Sequence, residues 1–268
     1  VEKTTWEKWI PTGLSVPAYD PISFAQMKAE TWNTTQGNLT GHNCPKCLNR
    51  GNIAIAREDG SITIAECDCM QIRKCIWEME RSGLGDRINK FRFEKYEVTK
   101  SWQRTLKDVI QAYANNPAGW LLVCGQSGSG KTHLCTAAAR QRLLSGDVVR
   151  YCAWREAIAK LKALSMEADR RAEILDGFKK SPVLYIDDLF QNGGARPTTA
   201  DVAIAFELID SRYTARLPTI ITTEKTPSEL VQIDQAVGGR IIEMAGNNIL
   251  EITPDPEKNY RLRNITRL

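Results

Sequence analysis

Between Trp120 and Thr132 the chain reads Trp-Leu-Leu-Val-Cys-Gly-Gln-Ser-Gly-Ser-Gly-Lys-Thr, an apolar run leading directly into Gly-x-x-x-x-Gly-Lys-Thr. A strand that empties into such a loop and continues as the helix-prone run Thr132–Leu144 commits its surroundings to an α/β fold. Gly125, Gly128 and Gly130 let the backbone turn tightly enough to aim successive N–H groups at phosphate oxygens, with the positive end of the helix behind them. Gln126, Ser127 and Ser129 fill the loop between these glycines, and His133 follows it. Lys131 is expected to reach the β- and γ-phosphates of ATP, and the Thr132 hydroxyl to ligate magnesium.

The second anchor of such a site comes 56 residues after Lys131, where Val183-Leu184-Tyr185-Ile186 reads as a buried strand ending in Asp187-Asp188. Asp187 is expected to hold magnesium, directly or through water, and Asp188 to orient and polarise the attacking water. Candidate strands are Trp120–Cys124, Val148–Cys152, Val183–Asp187, Thr219–Thr223 and Asn248–Ile252. Helical patterns occupy Thr132–Leu144, Arg155–Leu164, Glu167–Phe178 and Ala200–Arg216. This alternation predicts a five-stranded parallel sheet. Because a strand and helix separate the acid-bearing strand from the phosphate-loop strand, the pattern fits the additional-strand ATPases, which include AAA+ proteins. Ligands collect at the carboxyl ends of parallel strands, so Thr222 or Thr223 is expected to sense the γ-phosphate or the attacking water. Thr223 is the one assigned to catalysis.

At 268 residues the chain has room for one ATPase core and a smaller module. No apolar run reaches membrane-spanning length. The chain begins on Val1 without a signal-peptide pattern, which leaves room for a longer N-terminus and makes a cytoplasmic location the expectation. Of the net charge of +4, none arises before residue 258: residues 1–98 carry 13 basic and 13 acidic side chains, and residues 99–257 carry 19 of each. The excess is Lys258, Arg261, Arg263 and Arg267, a tail suited either to solvent or to phosphate and nucleic acid.

Eight cysteines beside an intracellular motif argue for metal or free thiols over disulfides. Cys44-Pro45-Lys46-Cys47 and Cys67-Asp68-Cys69 bracket Asn52–Ala65, whose Asp59-Gly60 turn and apolar flanks predict a β-hairpin. Two cysteine turns joined by a hairpin set four thiolates around one zinc, as in a zinc ribbon. A redox dithiol or unligated thiols are the alternatives, and Cys75 or His42 could enter the set. Cys124, Cys135 and Cys152 fall in core elements and read as buried apolar residues. Domain boundaries are expected at residues 1–40 for an N-terminal segment and 41–90 for the ribbon-like module and a linker helix with its Ser82-Gly83-Leu84-Gly85 hinge. The ATPase is assigned to residues 91–268. In the first segment Trp6, Trp9 and Trp32 either pack on the ribbon or anchor a partner.

From about Phe91 onward the chain resembles the DnaC/DnaI-type helicase loaders and their IstB-like relatives, a clade of AAA+ ATPases. The matching phrases are Phe91-Arg92-Phe93-Glu94-Lys95-Tyr96, Gly130-Lys131-Thr132-His133-Leu134 and Ile186-Asp187-Asp188-Leu189, then Phe206 to Tyr213, Pro218 to Thr223 and Asn259-Tyr260-Arg261. The resemblance implies an ATP-hydrolysing switch that self-associates on ATP and acts on a replicative hexameric helicase, helping to place it on single-stranded DNA. By position it makes Arg240 an arginine finger completing a neighbour's site and Arg261 a second sensor in cis. DnaI-like loaders carry a similar cysteine module, whose expected use is to position a helicase-docking surface. Two departures stand out: Glu224 where relatives commonly end the fourth strand in Asn, and no full helical lid after Arg261.

DNA-contact candidates are Arg155, Lys160, Lys162, Arg170 and Arg171, offset by neighbouring acids. Backbone-directed binding of single strands is the expected mode. The alternative function is that of an IstB-like transposition helper assembling on duplex DNA; the cysteine module favours the loader.

Overall fold

The computed structural model describes residues 20–80 and 87–262, so Trp6, Trp9, the Ser82–Gly85 hinge, Arg263 and Arg267 lie outside the described residues. The chain divides into two units after Met70.

In the first unit, α1 (Pro21–Thr34) starts where Asp20 accepts the Ile22 N–H and the Ser23 hydroxyl, with Pro21 supplying a preset φ. Ala25 and Ala29 are its buried residues. Near its C-terminal end Asn33 brackets the edge of β1 (Asn52–Ala56), accepting the Ala54 N–H and donating to the Ala54 carbonyl, both at 2.9 Å. β1 pairs antiparallel with β2 (Ile62–Glu66), Asn52 opposite Glu66, through a turn in which Gly60 takes φ +77°. The expected hairpin is therefore present. α2 (Cys69–Met79) follows.

The second unit continues with α3 (Arg87–Lys90), a tight turn over Phe93–Lys95, and α4 (Ser101–Asn115). Thereafter strands and helices alternate: β3 (Trp120–Gly125), α5 (Lys131–Leu144), β4 (Val149–Ala153), α6 (Trp154–Ala163) and α7 (Ala168–Lys180) come first. They lead to β5 (Val183–Asp187), α8 (Thr199–Thr214), β6 (Thr219–Thr223), α9 (Pro227–Ile233), α10 (Gln235–Ala245) and β7 (Ile249–Ile252). The five strands β3 to β7 form one parallel sheet in the order β4-β5-β6-β3-β7. Inner strands β3, β5 and β6 are covered on both faces, which is why they read as unbroken apolar or β-branched runs.

One face packs Leu106 and Ile110 of α4 and Leu134 of α5 against Leu121 and Val123. The other packs Ile158, Leu175, Leu208 and Ile241 against Leu122, Leu184 and Ile221. After β7 the described residues hold two short turns, Pro256–Lys258 and Tyr260–Leu262, and no helical lid. No described helix is long and apolar enough to cross a membrane.

Candidate nucleotide site and cysteine centre

The phosphate loop leaves the carboxyl end of β3 and enters α5, whose first residue is Lys131. Gly128 and Gly130 take φ +77° and +91°. A Cβ at Gly128 would stand 2.0 Å from the Asn259 side chain, and one at Gly130 would stand 2.9 Å from the Tyr96 ring. A larger residue at either position would be strained by the positive φ and would push the Asn259 or Tyr96 side chain aside. Lys131 is 4% exposed and its ammonium donates to the carbonyls of Gly125 and Gln126 at 2.7 and 2.9 Å. Burial pushes its pKa down, against the pull of Asp188, Glu224 and Asp187. Ser129 closes the loop onto the Gln126 carbonyl.

His133 stacks on Phe91 at 4.6 Å, meets the edge of Tyr96 and bonds the Arg92 carbonyl, so the Phe91–Tyr96 phrase is folded onto the start of α5. The segment after β7 meets the loop from its other end. Gln126 and the Asp255 backbone exchange two hydrogen bonds of 2.7 Å, the Tyr260 N–H donates to the Gly128 carbonyl, and Arg261 donates to the Ser127 hydroxyl at 3.0 Å.

Thr132 donates to Asp187 at 3.2 Å, bringing the two expected magnesium ligands together. Asp188 caps the strand end with φ +57°, a conformation costly for a residue with a Cβ. Burial pushes its carboxyl up to about 6; Asp187 and Glu224 add to this, while Lys131 and Arg261 oppose it. Glu224 itself is exposed.

The two threonines at the end of β6 point opposite ways. The Thr222 hydroxyl donates to Asp187 at 2.6 Å and accepts the Asp188 N–H at 2.8 Å. Thr223 donates to the Leu189 carbonyl at 2.8 Å and accepts the Lys225 N–H. Of the pair, Thr222 touches the acids and Thr223 braces the loop after β5. Sequence reasoning had no means of ordering them, because both faces of this strand are buried.

Arg240 sits on α10, which lies close against α9 because Gly238 carries no side chain: a Cβ there would stand 2.5 Å from the Val231 nitrogen. Its guanidinium pairs with Asp210 of α8 at 2.9 Å and lies over the Phe206 and Tyr213 rings. Of the DNA-contact candidates, Lys162 pairs with Asp201, Arg170 with Glu167 and Arg171 with Glu207. Arg155 and Lys160 share α6 with Lys162. Two features escaped sequence reasoning. Tyr151 and Tyr185 both donate to Asp187, and Arg212, fully buried, donates to four backbone carbonyls and the Thr219 hydroxyl. The signal for Tyr185 was present, since it lies two residues before Asp187 and shares its strand face.

In the first unit Cys44, Cys47, Cys67 and Cys69 are all buried, with their sulfurs within 4.8 Å of one another. The Cys44–Cys67 and Cys47–Cys69 separations of 3.8 and 3.5 Å bracket the edge of a tetrahedron with metal–sulfur bonds of about 2.3 Å. Positive φ at Leu48 and Asn49 curls the first turn; the Gly51 N–H reaches the Cys47 sulfur, and Lys46 pairs with Asp68 across the two turns. Burial raises the Cys47 thiol, but the Gly51 N–H and neighbouring thiols outweigh it and bring the group to about 6. The group can hold a metal ion. Cys75 is packed in the core of the second unit instead, and His42 is not part of the four. Cys124 and Cys152 are buried with thiols pushed up to about 12, which fits inert core residues; burial drives Cys135 up as well.

A phosphate loop and a pair of acids on β3 and β5, with β6 between them, define an additional-strand P-loop ATPase of the AAA+ type. The chain belongs to the IstB-like ATP binding protein family, which matches residues 73–245. It is 28% identical over 244 residues to the phage-like element PBSX protein XkdC of Bacillus subtilis (strain 168), covering 86% of this chain and 90% of the relative. It is similar to the crystal structure of the DnaC helicase loader, with 25% identity, a TM-score of 0.56, and coverage of 62% of this chain and 99% of that one. The replication initiator DnaA bound to AMPPCP and single-stranded DNA shares the fold at 21% identity and a TM-score of 0.52, over 63% of this chain and 51% of that one. The resemblance read from the sequence is borne out at the level of family and fold, and the protein is an ATPase.

Proposed function

We propose that the protein is an ATP-switched loader that binds a replicative hexameric helicase and helps place it on single-stranded DNA. The observation that carries this reading is the four-cysteine group, built into a unit of its own ahead of the unit that holds the phosphate loop and the paired acids. A nucleotide switch with a separate small module is suited to moving another protein rather than to converting a small molecule. In this reading the second unit acts as the ATPase and the first, which ends at Met70, supplies the docking surface.

Four buried thiols at tetrahedral spacing suit zinc, and we assign Cys44, Cys47, Cys67 and Cys69 to it. A hydroxyl and a carboxylate 3.2 Å apart are hard oxygen donors of the kind magnesium prefers, which assigns Thr132 and Asp187 to that ion. When bound, it neutralises charge on the β- and γ-phosphates. Lys131 turns from the loop carbonyls to the phosphates, Asp188 orients the attacking water, and Thr222, rather than Thr223, senses the result. Arg261 acts in cis and Arg240 in trans, in ATP-driven assemblies of the chain.

The test is a pull-down from host extract with ATP, using Asp188→Asn protein to prolong the bound state. Retention of a hexameric helicase is the expected result. Retention of a transposase without helicase would overturn the reading in favour of duplex-DNA transposition.

A further inference from the structure

Asp187 is held by more than the expected threonines. Tyr185 precedes it by two residues on β5, and a two-residue rise of about 6.6 Å is close to the reach of a tyrosine side chain. The Tyr185 hydroxyl accordingly arrives level with the carboxylate and donates to Oδ1 at 2.8 Å. Tyr151 is the register partner of Tyr185 on β4, with ring centroids 5.2 Å apart, and its hydroxyl donates to Oδ2 at 3.0 Å. Each carboxylate oxygen thus carries one tyrosine, from two strands, and the carboxylate cannot rotate without breaking a bond. A phenol hydroxyl facing a carboxylate oxygen can only donate to it, which fixes the direction of both bonds.

The load on the two oxygens is unequal. Among the described residues, Oδ1 accepts from Tyr185, Thr222 and Thr132, whereas Oδ2 accepts from Tyr151 alone and keeps acceptor capacity. We propose that Tyr151 and Tyr185 are positioning residues that fix the plane of the Asp187 carboxylate so that the acid meets the metal–nucleotide in one orientation. The proposal rests on the assignment of Thr132 and Asp187 to magnesium. It adds a residue pair that acts through Asp187 and touches neither nucleotide nor metal itself.

Core tyrosines also need acceptors simply to be buried, so the test must separate positioning from packing. Tyr151→Phe, Tyr185→Phe and the double variant keep the rings and delete only the oxygens. Nucleotide affinity is measured by calorimetry with chelator and again with saturating magnesium, and manganese binding to the protein–nucleotide complex is followed by paramagnetic resonance. Groups that orient a metal-binding carboxylate are expected to change metal affinity by ~10-fold or more when lost. The expected result is therefore chelator-condition affinity within about twofold of wild type, and manganese affinity reduced about tenfold in the double variant. The single variants should lie between.

Variants that melt lower but keep the wild-type metal effect overturn the proposal, because the hydroxyls then serve packing alone. If the double variant does not fold, the two single variants carry the same comparison. Wild-type protein whose nucleotide affinity ignores the metal overturns the magnesium assignment and this proposal together. A normal metal effect in wild type that persists in every variant overturns this proposal alone.

Discussion

The Thr222 hydroxyl accepts the Asp188 N–H at 2.8 Å, anchoring the residue that turns the chain out of β5 in a left-handed conformation. The same hydroxyl donates to Asp187 at 2.6 Å, so one side chain on β6 ties both acids together. Thr222→Val keeps the shape and leaves a half-buried N–H unpaired, a loss of about 1 kcal/mol. Hydrolysis should fall at least ~10-fold, as for a group acting in the transition state. Thr223→Val, which deletes the bonds to the Leu189 carbonyl and the Lys225 N–H but none to the acids, should cost stability and leave turnover within about twofold. Turnover and melting measurements on both variants decide between them; if Thr223→Val is the slow one, the sensor has been assigned to the wrong residue.

Asp188 also makes stability depend on pH. Its carboxyl is raised from 3.8 to about 6, chiefly by burial. A carboxyl with a folded value above its unfolded one is destabilising while ionised. The penalty is fully present above about pH 6 and is relieved as pH falls toward about 4. Asp188→Asn removes the charge, so nucleotide- and metal-free variant should be more stable than wild type at about pH 7.5, by on the order of 2 kcal/mol. The gap should close by about pH 4.5. Urea melts across this range measure it, and a gap that stays constant with pH would show that Asp188 titrates normally.

The cysteine group predicts a metal-dependent module. Elemental analysis should find one zinc per chain, and Cys44→Ser should unfold the first unit, since the four buried sulfurs are its cysteine core. ATP binding should survive, because Lys131, Thr132 and Asp187 lie in the second unit. A metal-free protein whose first unit gives native-like amide dispersion would sink the zinc assignment.

Arg212 is a structural cation rather than a ligand-binding one. It is 0% exposed and carries no carboxylate partner among the described residues. Instead it donates to the carbonyls of Phe178, Lys179, Ser181 and Pro218 and to the Thr219 hydroxyl, joining the end of α7 and the turn before β5 to the start of β6. Arg212→Met fills similar space but strips those carbonyls of their donor, and should destabilise by about 3 kcal/mol or more. Arg212→Lys should rescue little, because one ammonium lacks the guanidinium fork. Denaturant melts that place Arg212→Met at wild-type stability would contradict this account.

What could be read before any coordinates follows a physical division. The β3 loop and the β5 acids were legible because their chemistry demands fixed residue types at fixed spacing, and the parallel sheet followed from the alternation of strand and helix patterns. α4 escaped assignment although Leu106, Ile110, Tyr113 and Ala114 mark a buried stripe, since Lys100 stands at the N-cap position where Ser, Thr, Asp or Asn would announce a helix start. The choice between Thr222 and Thr223 was closed to pattern reading, because a central strand buries both faces and shows no alternation. Arg212 enters the sequence reading only within the Phe206 to Tyr213 phrase, without a role of its own. Its role depends on carbonyls 31 to 34 residues earlier in the chain, which no local window contains.

The last prediction concerns Arg240 and joins chemistry to assembly. In the single chain its guanidinium is held by Asp210 at 2.9 Å and by two aromatic rings of α8, a preorganised cation whose contacts are to α8 and its own helix. If it completes a neighbour's site, ATP should promote self-association. Arg240→Ala should then lose hydrolysis by ~10³-fold while keeping nucleotide affinity near wild type. Lys131→Ala should instead lose tight ATP binding, because the ammonium that offsets phosphate charge is gone. Mixing the two inactive proteins supplies the sharper measurement. An interface that pairs Lys131 from the Arg240→Ala chain with Arg240 from the Lys131→Ala chain contains one intact site, so turnover should partly return. Sedimentation with ATP checks that mixed assemblies form. If they form without any recovered hydrolysis, or if Arg240→Ala alone turns over at the wild-type rate with helicase and single-stranded DNA present, Arg240 is not the trans-acting group.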